Sequence, residues 1–308
     1  MSKKITGATG LKISVFCLAA ALPLSALFFV ARSHHAYLVL SHYFGGRAGN
    51  CGLAESFESE ALSRLQSQNV GEIRTASRVV RKDAQYSLWS TPLGEYWMPT
   101  ASGDALVYDL AEQKRNIYGT GIRPGDIVLD CGANVGVFTR KALWAGAAKV
   151  IAIEPGPENV ESLRRNFPNE IADGRVVIYP KGVWDKDDVL KLNIDPANSA
   201  SDSFISVSKN AQFVEVPLTT IDKMVSELRL PKVDFIKMDI EGAEQKAIAG
   251  SRKTIARYRP RMALCIYHVK GDETMVPKLV REVVPDYSIR RTCLCAADRI
   301  QPEVALFY

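Results

Sequence analysis

The chain has 308 residues, of which 47% are hydrophobic and 24% charged, with a formal net charge of +5. That composition excludes a long disordered protein. The charge is mild and nowhere concentrated in a Lys/Arg stretch with interleaved aromatics, so no nucleic acid partner is expected.

Residues 1–12 form an N-terminal tail. Ile13–Ala31 carries no charge. As a helix rising about 1.5 Å per residue, that run would span about 28 Å, near the thickness of a bilayer core. It is expected to be a transmembrane anchor that contacts the lipid bilayer through residues 13–31, making this a single-pass membrane protein. A cleaved signal peptide is the rival reading. Its apolar core is shorter, about 7–15 residues, and Phe29 stands where a cleavage site needs a small residue. Lys3, Lys4 and Lys12 precede the run and Arg32 and Arg47 follow it, a bias too small to orient the domain. Residues 32–85 contain Gly45, Gly46, Gly49 and Gly52, then a polar helical stretch from Glu55 to Gln68. They read as a stem or linker.

Residues 86–308 read as one domain. A helix is expected from Asp104 to Tyr118. Ile127-Val128-Leu129 is a first strand, followed by a glycine-rich turn and a helix from Val137 to Ala145. Val150–Ile153 and Val176–Tyr179 are further strands, separated by a helix with Val160, Leu163 and Phe167 at helical spacing. Val189–Val216 is a strand-rich excursion. Val233–Ile240 is a strand running into a helix from Ala243 to Ile255. Arg261–His268 and Val304–Phe307 complete the strands. Alternating strands and helices imply an α/β domain with a mainly parallel sheet, and ligands on such sheets bind at the carboxyl ends of the strands. The six cysteines show no zinc, redox or disulfide-framework spacing, so they are expected to be reduced.

Asp130-Cys131-Gly132-Ala133-Asn134-Val135-Gly136 follows the first strand and opens a helix. Glycines there let the backbone turn sharply and approach a ligand. A dinucleotide site wants Gly-x-Gly-x-x-Gly around an anionic pyrophosphate. Here Asn134 replaces the central glycine and an acid, Asp130, precedes the first. That pattern suits a ligand with an ammonium and a sulfonium. Glu154, before Pro155, ends the second strand, where a carboxylate accepts hydrogen bonds from ribose hydroxyls. Asp130, Gly132, Ala133, Asn134, Gly136, Glu154 and Pro155 are therefore the candidate cofactor residues, with S-adenosyl-L-methionine as the cofactor.

Lys237, Asp239 and Glu241 recur with period two and are expected on one side of a strand near its carboxyl end. Buried charges there are costly unless solvated or paired, which marks a site. Asp239 is the first choice for a base or acceptor-orienting group, Lys237 a cation holding it ionised, and Glu241 a substrate ligand or a cap of the next helix. His268 is the alternative base. Asp239, Glu241 and His268 could in principle collect a divalent metal, but nothing in the sequence requires one and no metal site is assigned.

The Asp130–Gly136 run, Ile153-Glu154-Pro155, and Asp234–Glu244 (DFIKMDIEGAE) together resemble the FkbM-type methyltransferases. Gly182-Val183-Trp184 and Thr219-Thr220-Ile221-Asp222 add smaller similarities. The resemblance covers residues 86–308. It implies a class I methyltransferase Rossmann-like fold with a seven-stranded sheet, helices on both faces, and O-methylation of a hydroxyl on a sugar, glycan, glycolipid or related metabolite. The acceptor would be a small molecule or glycan. Where many members carry an acid on the strand before the final hairpin, this chain has Cys265-Ile266-Tyr267-His268. A non-catalytic nucleoside-binding protein and a nucleotide-dependent oxidoreductase are the competing readings. Retention of Lys237, Asp239 and Glu241 disfavours the first, and the loop spacing disfavours the second.

Overall fold

A computed structural model describes residues 34–195, 198–205, 212–295 and 298–308. Helices His34–Phe44 and Leu53–Ala76 come first. Strands β1 (Arg78–Lys82), β2 (Tyr86–Thr91) and β3 (Gly94–Pro99) follow as an antiparallel sheet, and then helix Gly103–Lys114. The main sheet holds seven strands: β4 (Ile127–Cys131), β5 (Lys149–Ile153), β6 (Val176–Tyr179), β10 (Phe235–Met238), β11 (Arg261–Cys265), β12 (Ile289–Cys295) and β13 (Ile300–Phe307). Their order is β12-β13-β11-β10-β4-β5-β6. The pairs from β6 through β11 are parallel, and β13 is antiparallel to both β11 and β12. This is the expected class I arrangement. The excursion after β6 forms a small separate sheet of β7 (Gly182–Val183), β8 (Asp188–Ile194) and β9 (Gln212–Thr219).

The central strands are apolar on both faces because both faces are covered, as parallel sheets require. Every residue of β4 and β10 is buried. Side chains alternate between the faces. Leu129, Ile151, Ile236 and Leu264 pack with Ile221, Ile248, Ile255, Val276 and Val280 from helices on one side. Val128, Val150, Phe235 and Ala263 pack with Phe138 and Ala142 of helix Val137–Trp144 on the other. The helix expected over Ala243–Ile255 is two helices, Glu244–Ala249 and Arg252–Tyr258, with a break at Gly250.

The Ile13–Ala31 run lies outside the described residues. The expected single-pass membrane location is corrected, because no helix among the described residues is long and apolar enough to cross a bilayer. The expected bilayer contact through residues 13–31 is likewise without structural support.

Two further expectations change. Residues 32–85 were expected to form a stem, but helix Leu53–Ala76 docks on the main sheet beside β12. Ser63 Oγ donates to the Cys295 carbonyl at 2.8 Å and accepts from the Cys295 N–H at 2.9 Å. Arg115 bridges the same layers, donating to Gln66 at 2.9 Å and pairing with buried Glu303. The cysteines are also not all reduced. Cys51 and Cys293 form a disulfide across 242 residues of sequence, with Cα atoms 6.4 Å apart. Local spacing cannot reveal a bond of that reach. Cys131 and Cys265 are free and buried. Because cross-linking a long loop restricts the unfolded chain, Cys293→Ser is expected to cost about 2–4 kcal/mol of unfolding free energy. A urea melt of the oxidised protein reads this directly, and an unchanged midpoint would show that the link contributes nothing.

Candidate functional site

The cleft opens at the carboxyl ends of β4, β5 and β10. After Cys131 the chain turns through Gly132 (φ 78°) and Asn134 (φ 49°) before helix Val137–Trp144. A Cβ on Gly132 would sit 1.8 Å from the Asp239 carbonyl oxygen, so only glycine lets the loop pass this close to the end of β10. Gly136 serves differently. At φ 94° it precedes the helix, and a Cβ there would lie 2.2 Å from the Phe167 ring. It packs the helix and does not line the cleft.

Glu154 joins the turns that follow β4 and β5. Its Oε2 accepts from the Asn134 N–H at 2.9 Å and its Oε1 from the Gly156 N–H at 2.8 Å. Burial raises its pKa, and those backbone donors oppose the rise. Each carboxylate oxygen retains a lone pair for a ligand hydroxyl. The Asn134 side chain donates to Asp109 Oδ2 at 3.0 Å.

Asp130, expected to meet the cofactor, lies beneath the cleft and does not line it. Register places it opposite Lys237 on the neighbouring strand, so both side chains project from the same face. Lys237 Nζ lies 3.3 Å from Asp130 Oδ1 and donates to the Gly132 carbonyl at 2.5 Å, while Thr139 Oγ1 donates to Asp130 Oδ2 at 2.6 Å. Asp130 is fully buried beneath the loop. It braces the glycine turn through Lys237. Lys237 in turn is bonded to Asp130 and the loop, not to Asp239. Burial opposes its charge, but Asp130 and Asp239 outweigh burial and raise its pKa.

Asp239 and Glu241 reach the same cavity by different means. β10 ends at Met238, and Glu241 sits in a left-handed turn at φ 53°, so strand periodicity does not place it. Tyr118 OH donates to Asp239 Oδ2. Burial alone would raise the Asp239 pKa, but the charges of Lys237 and His268 and the Tyr118 hydroxyl hold it below its ordinary value. Glu241 caps nothing. Glu244 reaches back instead, accepting from the Ile240 N–H at 3.0 Å.

His268 lies just past β11, with Nδ1 2.9 Å from Glu244 Oε1 and Nε2 3.4 Å from Asp239 Oδ1 and 3.5 Å from Glu241 Oε1. Burial disfavours its charge, but Glu241, Glu244 and Asp239 raise its pKa to about 11.

The cavity enclosed by these groups measures about 1120 Å³ including its open mouth. Gly132, Ala133, Asn134, Glu154, Pro155, Lys237, Asp239 and Glu241 line it. Asp130, Gly136 and His268 stand behind it. Asp109, Glu112 and Asp202 add three carboxylates that the sequence reading missed. Burial and the neighbouring Asp239 push Asp109 to about 7, and burial with Glu154 pushes Asp202 to about 8. Asp109 was detectable in principle, as an acid among the buried Leu106, Val107, Leu110 and Ala111 of one helix. Tyr118 had no such signal. Its partner Asp239 is 121 residues away.

Residues 130–287, just over half of the chain, match the family described as Methyltransferase FkbM domain. The 31-O-demethyl-FK506 methyltransferase FkbM of Streptomyces tacrolimicus is 24% identical over 161 residues, 43% of this chain and 62% of that protein. The hexuronic acid methyltransferase AglP of Haloferax volcanii is 26% identical over 157 residues, 51% of this chain and 62% of that protein. The 2-O-methyltransferase NoeI of Sinorhizobium fredii is 26% identical over 152 residues, 44% of this chain and again 62% of that protein. The match therefore spans less than two thirds of each of these relatives. A crystal structure of a methyltransferase FkbM from Methylobacillus flagellatus is 18% identical, with a TM-score of 0.45, covering 85% of this chain and 63% of that one. By its sequence match from the glycine loop through the acidic turn to the strand behind them, the chain belongs to the FkbM methyltransferase domain family.

Proposed function

We propose that this chain is an S-adenosyl-L-methionine-dependent methyltransferase that methylates a hydroxyl of a sugar, glycan, glycolipid or related metabolite. One observation carries the reading. The cleft at the glycine loop is lined by Asp109, Glu112, Glu154, Asp202, Asp239 and Glu241 against only two cations, Lys181 and Lys237. Such a lining attracts a cationic ligand, whose charge in turn favours ionisation of Asp109 and Asp202, and it repels the pyrophosphate of a dinucleotide. It fits a cofactor with a sulfonium and an ammonium, and Glu154 is placed to accept from ribose hydroxyls. The name of one relative, a hexuronic acid methyltransferase, supports the sugar-type acceptor.

The cofactor supplies a methyl group already activated on sulfur, so positioning carries most of the rate. Glu154 and the Gly132–Asn134 turn hold the donor. Asp239, fixed by Tyr118, orients the acceptor hydroxyl and takes its proton as the oxygen gains the methyl group.

Isothermal titration tests the donor half of this reading. The protein is expected to bind S-adenosylmethionine or its demethylated product, and Glu154→Ala is expected to weaken that binding by about ten- to a hundredfold, the loss of charge-assisted hydrogen bonds worth about 1.5–3 kcal/mol. Tight binding of NAD with no response to either compound would overturn it.

A further inference from the structure

We propose that Asp239, Glu241 and His268 form a binding site for one divalent transition-metal ion at the acceptor end of the cleft. The three ligand atoms lie within 4.8 Å of one another. The His268 side chain is only 7% exposed. Its Nδ1 is engaged by Glu244, whose side chain is wholly buried and whose same oxygen also accepts from the Ile240 N–H. A carboxylate behind one ring nitrogen orients the ring and aims the other nitrogen outward, the arrangement found behind metal-bound histidines. Nε2 is aimed at Asp239 and Glu241.

A second observation is independent of that orientation. His268 Nε2 and Asp239 Oδ1 are both buried, and neither makes a hydrogen bond. Their separation is 3.4 Å, and Nε2 to Glu241 Oε1 is 3.5 Å. Those distances are long for hydrogen bonds. They suit two ligands of one ion. Atoms about 2.1 Å from a common centre at a tetrahedral angle stand roughly 3.4 Å apart. Glu241 is 30% exposed and free to complete the set. Asp239 is steadied by Tyr118 on its other oxygen.

One imidazole with two carboxylates suits Mn²⁺, Fe²⁺ or Zn²⁺ better than Mg²⁺, which prefers oxygen ligands and its own waters. Binding displaces the proton that Nε2 otherwise carries. Asp239 and Glu241 line the cavity, so the remaining coordination positions face it. An acceptor hydroxyl bound there gives up its proton more readily. That last consequence rests on the methyltransferase reading; the ion site itself does not.

The test is titration of the full chain with Mn²⁺, following the electron paramagnetic resonance signal of the free ion, with Zn²⁺ as competitor. One Mn²⁺ per chain is expected, displaced by Zn²⁺. His268→Gln is expected to weaken it at least tenfold. Glu241→Gln, at a more exposed position, is expected to do the same and serves if the first variant does not fold. Calorimetry with S-adenosylhomocysteine on the same samples reports the cofactor half of the cleft. Mn²⁺ binding without S-adenosylhomocysteine binding would sink the methyltransferase reading and leave the metal site standing. No binding of Mn²⁺ or Zn²⁺ by the wild-type chain, or equal binding by both variants, would overturn the metal site.

Discussion

Asp239→Asn is expected to lower methyl transfer by about 10²–10⁴ while leaving affinity for S-adenosylhomocysteine within a few-fold. Asparagine preserves the size of the side chain and can still accept from Tyr118, whose hydroxyl donates to Asp239 Oδ2. It cannot take a proton, and it is a far poorer metal ligand. The substitution therefore removes the chemistry while disturbing the packing little. The main competing role, capping the next helix, is filled by Glu244, which accepts from the Ile240 N–H. Were capping the purpose of Asp239, asparagine would serve nearly as well and turnover would survive. Product formation from a hydroxylated acceptor under saturating cofactor decides the matter. Normal turnover by a folded Asp239→Asn protein would end the assignment and move it to His268, with His268→Gln as the deciding variant.

Lys237→Met is expected to destabilise the fold by about 3–5 kcal/mol, because it strands the buried Asp130 carboxylate without its cation. The lysine also ties the glycine turn to the sheet through the Cys131 and Gly132 carbonyls. If the cost comes from the orphaned charge, the double variant Lys237→Met with Asp130→Asn should recover much of it, since neither charge then remains. Thr139 can still donate to the asparagine oxygen, as it does to Asp130. Urea midpoints of the wild type, both single variants and the double variant form the required cycle. A Lys237→Met protein as stable as the wild type would show that the pair does not brace the loop. Recovered stability with lost cofactor affinity would locate the role of Lys237 in shaping the turn.

These two residues show where reading the chain alone stops. The strand spacing of Lys237 and Asp239 brought both to one cleft correctly. The charge of Lys237 does lower the Asp239 pKa, but its ion pair is with Asp130, because pairing depends on register with a strand more than 100 residues away. Asp130 stands opposite Lys237 only because β4 and β10 are neighbours in that register. Glu241 was placed on a strand by period two, whereas the chain leaves β10 at Met238 and swings Glu241 into the cavity through a left-handed turn.

The amino-acid order by itself determined the alternation of strands and helices, the Val176–Tyr179 strand to the residue, the glycine turn and the acid at the end of β5. Each of those is a local signal: an apolar run, a helical period, or a glycine where a Cβ cannot fit. Only the tertiary structure decided which charges are braces and which face the cleft. It brought Asp109 and Tyr118 from the preceding segment to the acidic turn, set Glu244 behind His268, docked helix Leu53–Ala76 on the sheet, and joined Cys51 to Cys293. The reason is physical. A buried charge is defined by its partner, and here the partners are separated in sequence by as many as 242 residues in the disulfide and 121 in the Tyr118–Asp239 contact. No local pattern encodes which of many distant side chains the packing of the sheet will set opposite.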